Sequence, residues 1–327
     1  MAEKKSVLIT GGTGLVGSHA AAYLLERGEK VIVFDVAINE RQLSLLGIQD
    51  KVTVVRGDIL DFPYFLETLQ KHDVGKVAHL AGFIGEEVDR RPFTGIRVNL
   101  MGTAHVLEAA RILKLDRVVL SSSSTVFYGN INEWGNRPVD ESIQPSSLSV
   151  YAATKVGAEQ LGYAYANRYG VDFIALRYAA IIGPGSVGMK AGREQSVFEM
   201  VRKSVRGEPV SIQWNGGERQ EWYYMKDASW GTALALMATG LEHRLFHLGN
   251  GETQSIDELV ALIEKKLPGA KISLTKVPRA LGYPTSPPPL DISRARKALG
   301  YEPRYPLEKA IEDYIATVRL MEESSRG

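Results

Sequence analysis

The chain has 327 residues, of which 44% are hydrophobic and 24% charged, a globular composition long enough for two fused lobes or one large α/β domain with an appendage. A formal net charge of +1, with no run of Lys and Arg, supplies no field for nucleic acid or an anionic membrane surface. The absence of cysteine excludes disulfides, thiolate nucleophiles and cysteine metal sites, and no stretch of about 18 apolar residues suggests a membrane span.

The predicted elements alternate. Residues 7–9 form a short apolar strand that runs into a glycine loop, and residues 15–26 have helical spacing. Residues 31–34, 52–55, 77–80, 118–120 and 173–176 are further buried-type strands, with helices expected over 64–71, 99–113 and 149–169. Continuous apolar strands separated by helices predict a parallel sheet covered on both faces. Beyond Arg177 the alternation loosens into glycine-rich loops, with helices near 196–206, 228–239, 256–266 and 307–321. Ser255 and Glu258 have the spacing of a capping box. The segment 284–289, rich in proline, reads as a stiff surface connection. His243 and His247 flank an expected strand, and the histidines show no metal spacing.

Gly11, Gly14 and Gly17 follow the first strand and open the first helix. Glycines placed in this way permit a tight turn, close backbone approach to a pyrophosphate and close helix–strand packing. The spacing is G-x-x-G-x-x-G, one residue longer in the phosphate turn than G-x-G-x-x-G; a glycine-rich turn without a ligand would look similar. Asp35 ends the second strand, where a carboxylate accepts from both ribose hydroxyls and repels a 2′-phosphate. Val36 follows it rather than an arginine, so NAD is favoured over NADP, with Arg41 the nearby cation in sequence. Asp58 and Ile59 follow the third strand within reach of an adenine.

Tyr151 and Lys155 lie four apart on a helix, one turn from each other. A free phenol titrates near pH ~10, and an ammonium beside it favours the phenolate. Downstream of a dinucleotide loop, the pair suggests a proton-relay tyrosine beside a hydride carrier. The fifth strand ends in Ser121-Ser122-Ser123-Ser124, four hydroxyls at the carboxyl end of a central strand.

Together with Thr10 to Gly17, Gly57-Asp58-Ile59, His79-Leu80-Ala81-Gly82, Val98-Asn99 to Thr103 and Leu176-Arg177-Tyr178, these motifs give the chain its resemblance to a known family. It resembles the extended short-chain dehydrogenase/reductases, in particular the NAD-dependent sugar-nucleotide epimerase/dehydratase branch, UDP-galactose 4-epimerase included. The resemblance implies a Rossmann-type doubly wound α/β sheet with a smaller mixed C-terminal lobe. Residues 1–177, with a returning strand near 245–248, would form the dinucleotide-binding domain, and 178–327 mainly the substrate lobe. It also implies that Tyr151 is the acid/base, that Lys155 lowers its pKa and holds the nicotinamide ribose, and that a serine hydrogen-bonds the substrate oxygen. An ungapped match to the pattern Ser-Ser-Ser-Ala-Thr-Val-Tyr-Gly gives Ser123 that role; anchoring on Gly129 gives Ser124. Gly11, Gly14, Leu15, Val16, Asp35, Asp58, Ile59, Ala81, Asn99 and Ser121 would surround the cofactor with Tyr151 and Lys155, although Asn99 also suits a helix cap.

Several outcomes share the first half-reaction. Family 4,6-dehydratases place Asp-Glu after the catalytic hydroxyl and sugar-acid decarboxylases carry a glutamate there, whereas Ser124-Thr125 stand here. Epimerisation of a sugar or sugar nucleotide through a keto intermediate remains, with a net NAD-dependent dehydrogenase of a non-nucleotide hydroxy compound as the alternative. A non-catalytic NAD sensor would have little use for the Ser-Tyr-Lys set. Two positions depart from the family pattern. Its Asn after Leu-Arg-Tyr is Ala180 here, and its Arg-Asp-Tyr/Trp reads Gln220-Glu221-Trp222, with Arg219 one place early. A diphosphate needs donors and positive charge. Arg219, Arg193, Lys190 and Arg177 are candidates, Arg177 being equally suited to a structural ion pair. Phe83 and the run Trp222-Tyr223-Tyr224 could stack on a substrate ring, though the run also suits core. Expected substrate contacts are therefore Phe83, Ser123, Arg193 and Arg219, with no metal. The expected partner is a small molecule, not nucleic acid or membrane, in a cytoplasmic enzyme. Pairing of the 99–113 and Tyr151 helices in a homodimer would use Val106, Ala109, Ala110 and Leu113, positions that also suit packing on the sheet.

Overall fold

Six strands follow one another along the chain up to Tyr178: β1 (Ser6–Thr10), β2 (Val31–Asp35), β3 (Thr53–Arg56), β4 (Val74–His79), β5 (Arg117–Ser123) and β6 (Phe173–Tyr178). A seventh, β7 (Leu245–Leu248), returns from far downstream to pair with β6. In the computed structural model, which describes residues 4–184, 193–214, 219–276 and 286–323, they form one parallel sheet in the order β7-β6-β5-β4-β1-β2-β3. Side chains of residues 86, 193–196 and 276 lie outside that description. The strand order reverses between β1 and β4, and ligands of open α/β sheets sit at the carboxyl ends beside such a reversal.

Successive strand residues point to opposite faces, and both faces are buried except at the sheet-edge strand β3. There Thr53, Val54 and Arg56 are exposed although a buried strand is expected over 52–55, because an edge strand has no neighbour to extend the cover beyond it. Val7, Ile9, Val119, Ile174, Leu176 and Phe246 pack in one core cluster that also holds Ala20 and Leu24 of the Leu15–Leu25 helix and Ala228, Ala233 and Leu236 of the Met225–Met237 helix. Leu8, Ile32, Phe34, Val118, Leu120, Phe173 and Ala175 pack in a second, with the Gly102–Leu113 and Val150–Tyr169 helices. This two-sided burial is why the strands read as unbroken apolar runs rather than alternating ones.

The C-terminal region has a third apolar cluster, built by the helices Arg193–Val205, Ile256–Lys266 and Leu307–Glu323. Three two-stranded sheets accompany it: Val210–Trp214 with Ile272–Lys276, Ala180–Ile182 with Trp222–Tyr224, and Arg219–Gln220 with Gln254–Ser255. The capping box at Ser255 is present in full. Trp222, Tyr223 and Tyr224 are all buried in core clusters, so the aromatic run is packing.

Four local expectations are corrected. The helix expected from residue 99 is entered through Pro92–Ile96 and a π turn over Arg97–Met101, so Asn99 lies inside a helical run and caps nothing. Val106, Ala109 and Ala110 are spent inside the monomer, against the sheet. His247 stands within β7 and is fully buried rather than flanking the strand. Pro287 is buried as well; Val139 N–H donates to the Pro289 carbonyl at 2.8 Å and Asp291 N–H to the Val139 carbonyl at 2.8 Å. The described part of the proline segment is thus a strap bonded to the body of the protein. Residues 284 and 285 lie outside the described residues. Among the described residues, no helix is long and apolar enough to cross a membrane.

Candidate active site

The glycine loop is built by close approach. Gly11 has φ +65°, and a Cβ there would come within 2.9 Å of Ala81 N. At Gly17 a Cβ would stand 2.3 Å from the Gly11 carbonyl oxygen, so the helix could not start where it does. Gly12, to which sequence reading gave no role of its own, is as tight: its Cβ would meet Val33 Cβ at 2.6 Å. Gly14 is the N-cap of the Leu15–Leu25 helix and offers no side-chain cap, leaving the first-turn N–H groups for an anion. A cavity of about 1800 Å³ opens here, lined by Gly11, Gly14, Leu15 and Val16. It exceeds the roughly 300–1,000 Å³ of an ordinary small-molecule pocket, as a site for a dinucleotide and a second ligand should.

Asp35, Asp58, Ile59 and Ala81 line the same cavity. Asp35 is oriented by Thr13, whose N–H and Oγ1 donate to its Oδ2 at 3.2 and 2.8 Å. Asp58 accepts from Leu60 N–H at 2.9 Å. Asn99 stands behind the wall instead of lining it. Its Oδ1 accepts from Phe83 N–H at 2.8 Å, and its Nδ2 donates to the Phe83 carbonyl at 2.9 Å and to Thr154 Oγ1 at 3.1 Å. It clasps the segment after β4 to the Tyr151 helix.

That helix starts at two acceptors. Ser149 Oγ accepts from Ala152 N–H at 3.1 Å, and Asp89 Oδ1 accepts from Val150 N–H at 3.0 Å and Tyr151 N–H at 3.4 Å. No sequence signal marked Asp89. Tyr151 lines the cavity, and Lys155 Nζ lies 5.8 Å from its ring centroid. Lys155 is buried and donates to the Ser121 carbonyl at 2.8 Å, with Ser121 Oγ at 3.4 Å. Burial pushes the Lys155 ammonium down to about 8, while Glu159 pulls it the other way.

The four serines divide by strand alternation and by the turn that follows. Ser121 meets Lys155. Ser122 points to the opposite face and donates to Glu159 Oε1 at 2.5 Å. Ser123, extended at the end of β5, accepts from Thr125 N–H at 3.3 Å and from Thr125 Oγ1 at 3.0 Å. Ser124 opens the 3₁₀ turn Ser124–Phe127, with its Oγ 3.4 Å from the Tyr128 hydroxyl. All four line the cavity.

At the far end the lining includes Phe83, Tyr178, Ala180, Ile181 and Gln220. Arg219 is absent from the lining and pairs with Glu258 at 3.1 Å. Arg177 is buried in a bidentate ion pair with Glu159, its Nε and Nη2 at 2.9 and 2.8 Å, which removes it from the diphosphate candidates. Lys190 and the side chain of Arg193 lie outside the described residues. Next to Gln220, Glu221 is buried and accepts from Asn250, Gly251 and Leu290 N–H groups at 2.7, 2.8 and 2.7 Å. Burial pushes its carboxyl up to about 7 against those three donors. In sequence it gave no sign of tying the proline strap to the strand that carries Gln220.

Residues 7–249, which span the whole sheet and both halves of this constellation, match the model of the NAD dependent epimerase/dehydratase family. The chain belongs to that family. It is thus an NAD-dependent enzyme of the extended short-chain dehydrogenase/reductase type. Among family members, UDP-glucuronate 4-epimerase of Thermodesulfobacterium geofontis is 28% identical over 320 residues, covering 93% of each chain. The structure of Thermus thermophilus UDP-glucose 4-epimerase in complex with NAD superposes with TM-score 0.84 at 25% identity, over 96% of this chain and 99% of that one. UDP-glucuronic acid 4-epimerase from Bacillus cereus, in complex with UDP-glucuronic acid and NAD, gives 0.80 at 25% identity, over 97% and 99%.

Proposed function

We propose that this enzyme is a UDP-sugar 4-epimerase that inverts one carbinol centre through a keto intermediate. The observation that carries it is the gathering of Ser123, Tyr151 and Lys155 around the cavity that the glycine loop opens. Family membership supports the cofactor, and relatives named for UDP-glucose and UDP-glucuronate support the substrate class.

Gly11, Gly14, Leu15 and Val16 would hold the NAD pyrophosphate, Asp35 the adenine ribose, Asp58 and Ile59 the adenine, and Ala81, Ser121 and Lys155 the nicotinamide side. When bound, NAD supplies the hydride acceptor. Tyr151 takes the proton of the carbinol oxygen as the ketone forms and returns it when the alcohol is restored. The Lys155 ammonium favours the phenolate by charge. Ser123 already accepts twice from Thr125, so its own hydroxyl proton is the part left to donate to the sugar oxygen. That favours Ser123 over Ser124 for the substrate contact. Phe83 and the wall of Ala180 and Gln220 would hold the sugar.

The uncharged pair Ala180 and Gln220, where the family pattern has Asn and Arg, favours a second reading: net dehydrogenation of a hydroxy compound without a nucleotide. One experiment separates the two. The enzyme is incubated with NAD and UDP-glucose, UDP-galactose or UDP-glucuronate, and C4 epimers are followed by proton NMR while NADH absorbance is recorded. Epimer without net NADH is expected. Accumulating NADH with simple hydroxy compounds, and no epimer from any UDP-sugar, would reverse the order.

We also infer a cytoplasmic homodimer. Phe93, which is 74% exposed, Ile96, Met101 and Ile112 follow one another along the Pro92–Leu113 helical run at spacings of three, five and eleven, the five falling across the π turn. Light scattering should give twice the chain mass, and Phe93→Glu with Ile112→Glu should give a monomer. A monomeric wild-type protein at micromolar concentration would reject the inference.

A further inference from the structure

Beneath the reacting end, three neighbouring strands carry a polar residue at one level. Ser122 on β5 is the register partner of Arg177 on β6, and Arg177 of His247 on β7. All three are buried, Ser122 and Arg177 against the Val150–Tyr169 helix and His247 against Phe127 and the Val139 carbonyl. From that helix Glu159, with no exposed surface, accepts from Ser122 at 2.5 Å and from Arg177 at 2.9 and 2.8 Å. It follows Lys155 by four residues and Tyr151 by eight, so the three ride one face of the helix. A buried ion pair is a weak source of net stability, because desolvation consumes most of the attraction; it is far better at admitting a single geometry.

We propose that Glu159 is a positioning residue: gripping Ser122 and Arg177 at once, it sets the register of the Tyr151 helix on the sheet and keeps Lys155 charged against Ser121. The proposal, which rests on the roles of Tyr151 and Lys155 given above, joins two observations. The grip spans β5 and β6, and Ser122 sits between the residue that receives Lys155 and the serine assigned to the substrate. The second is electrostatic. Lys155 is faced by neutral His79 on β4, which burial and then Lys155 push down to about 3, by Ser121 on β5 and by Tyr151 on its own helix. Against its desolvation, the charge that opposes is Glu159. Around Glu159 itself stand Ser122, Arg177 and Tyr163, whose phenol is raised by burial first and by Glu159 second.

The test removes both charges together, Glu159→Gln with Arg177→Met, so that no buried guanidinium is left unpaired. The readout is the ε-carbon resonance of Lys155 followed by NMR against pH, assigned by its loss in Lys155→Met. The titration midpoint should fall measurably relative to wild type, because Glu159 is the charge that opposes the desolvation of Lys155. NAD affinity should fall on the alkaline side in step. Glu159→Asp should recover part of the shift. An unmoved midpoint in a folded double variant overturns the proposal and leaves the pair purely structural. Should the amide variant unfold, Glu159→Leu with Arg177→Met tests the same charge, since apolar replacements of buried pairs are often neutral or stabilising. If the wild-type enzyme epimerises no UDP-sugar, the proposed function fails, while the Lys155 midpoint still decides the part played by Glu159.

Discussion

Lys155 crosses from its helix to the end of β5 and donates to the carbonyl of Ser121 at 2.8 Å. The contact holds a cation between the strand that ends in Ser123 and the tyrosine one turn earlier. Burial brings that cation down from 10.5 to about 8, so it is present below that pH and lost above it. If the ammonium holds the nicotinamide ribose, NAD affinity should be level from pH 6 to 7.5 and fall above pH 8, by up to about tenfold per pH unit. Calorimetric titration checks it. The slope should vanish in Lys155→Met, and an affinity level to pH 10 in the wild type would remove Lys155 from cofactor binding.

Tyr151→Phe keeps the ring and deletes the hydroxyl. Turnover should fall by about 10²–10⁴-fold, the usual worth of general acid–base help, with melting temperature and NAD affinity retained. Ser123→Ala should lose about 10²–10³-fold, as for removal of one donor to a developing oxyanion. Ser124→Ala, whose hydroxyl neighbours Tyr128, should stay close to wild type. Rates measured side by side decide between the two serines; the larger loss at Ser124 would transfer the role.

Gly17→Ala and Gly28→Ala separate steric closeness from backbone conformation. At Gly17 the new Cβ would lie 2.3 Å from a backbone oxygen of the phosphate turn, so the turn must open, and NAD binding should be lost along with stability. At Gly28 no atom lies within 4 Å, and the strain is that of φ +70° alone, about 1–2 kcal/mol for a residue with a Cβ. Denaturation with and without NAD should show ligand stabilisation kept at Gly28→Ala and abolished at Gly17→Ala. Equal NAD affinity in the two would contradict the turn geometry.

Much of this architecture is legible because it is local or periodic. Apolar runs at residues 7–9, 31–34 and 118–120 announce strands buried on both faces, and the loop ending at Gly17 announces a backbone approach that no side chain survives. Tyr151 and Lys155 are visible since a helix brings positions four apart together. Asn99 was legible as important but not as a clasp, because its partners Phe83 and Thr154 are set by tertiary packing. The same holds for Arg177, whose ion pair with Glu159 crosses from strand to helix. Glu221 and Asp89 carry no local pattern at all; each acts on N–H groups far along the chain. The strap at Pro287 read as surface because proline composition says nothing of what lies beneath it.

Buried histidines make a last expectation about acid. Burial and, in second place, a neighbouring cation push His79 and His247 down to about 3 and His19 to about 4, the cations being Lys155, Arg177 and Lys226. Unfolded imidazoles titrate near 6.5. Above that pH both states hold neutral rings and this contribution to stability is complete. As pH falls below it, the unfolded chain binds protons that the folded protein refuses until about 3 to 4, so stability declines through that window. Each ring contributes a slope of about 1.4 kcal/mol per pH unit. Glu221, raised to about 7 by burial, acts in the opposite sense, since the folded state takes its proton first. A comparison of variants cancels that carboxyl. His247→Gln should be less stable than wild type at pH 7.5, where the Nδ1 bond to the Val139 carbonyl at 2.9 Å is disturbed, yet should lose about 1.4 kcal/mol less per pH unit between pH 6 and 4.5. Urea denaturation at four pH values measures both slopes. Parallel lines would mean that His247 is protonated in the folded protein and that its burial exerts no pull on acid stability.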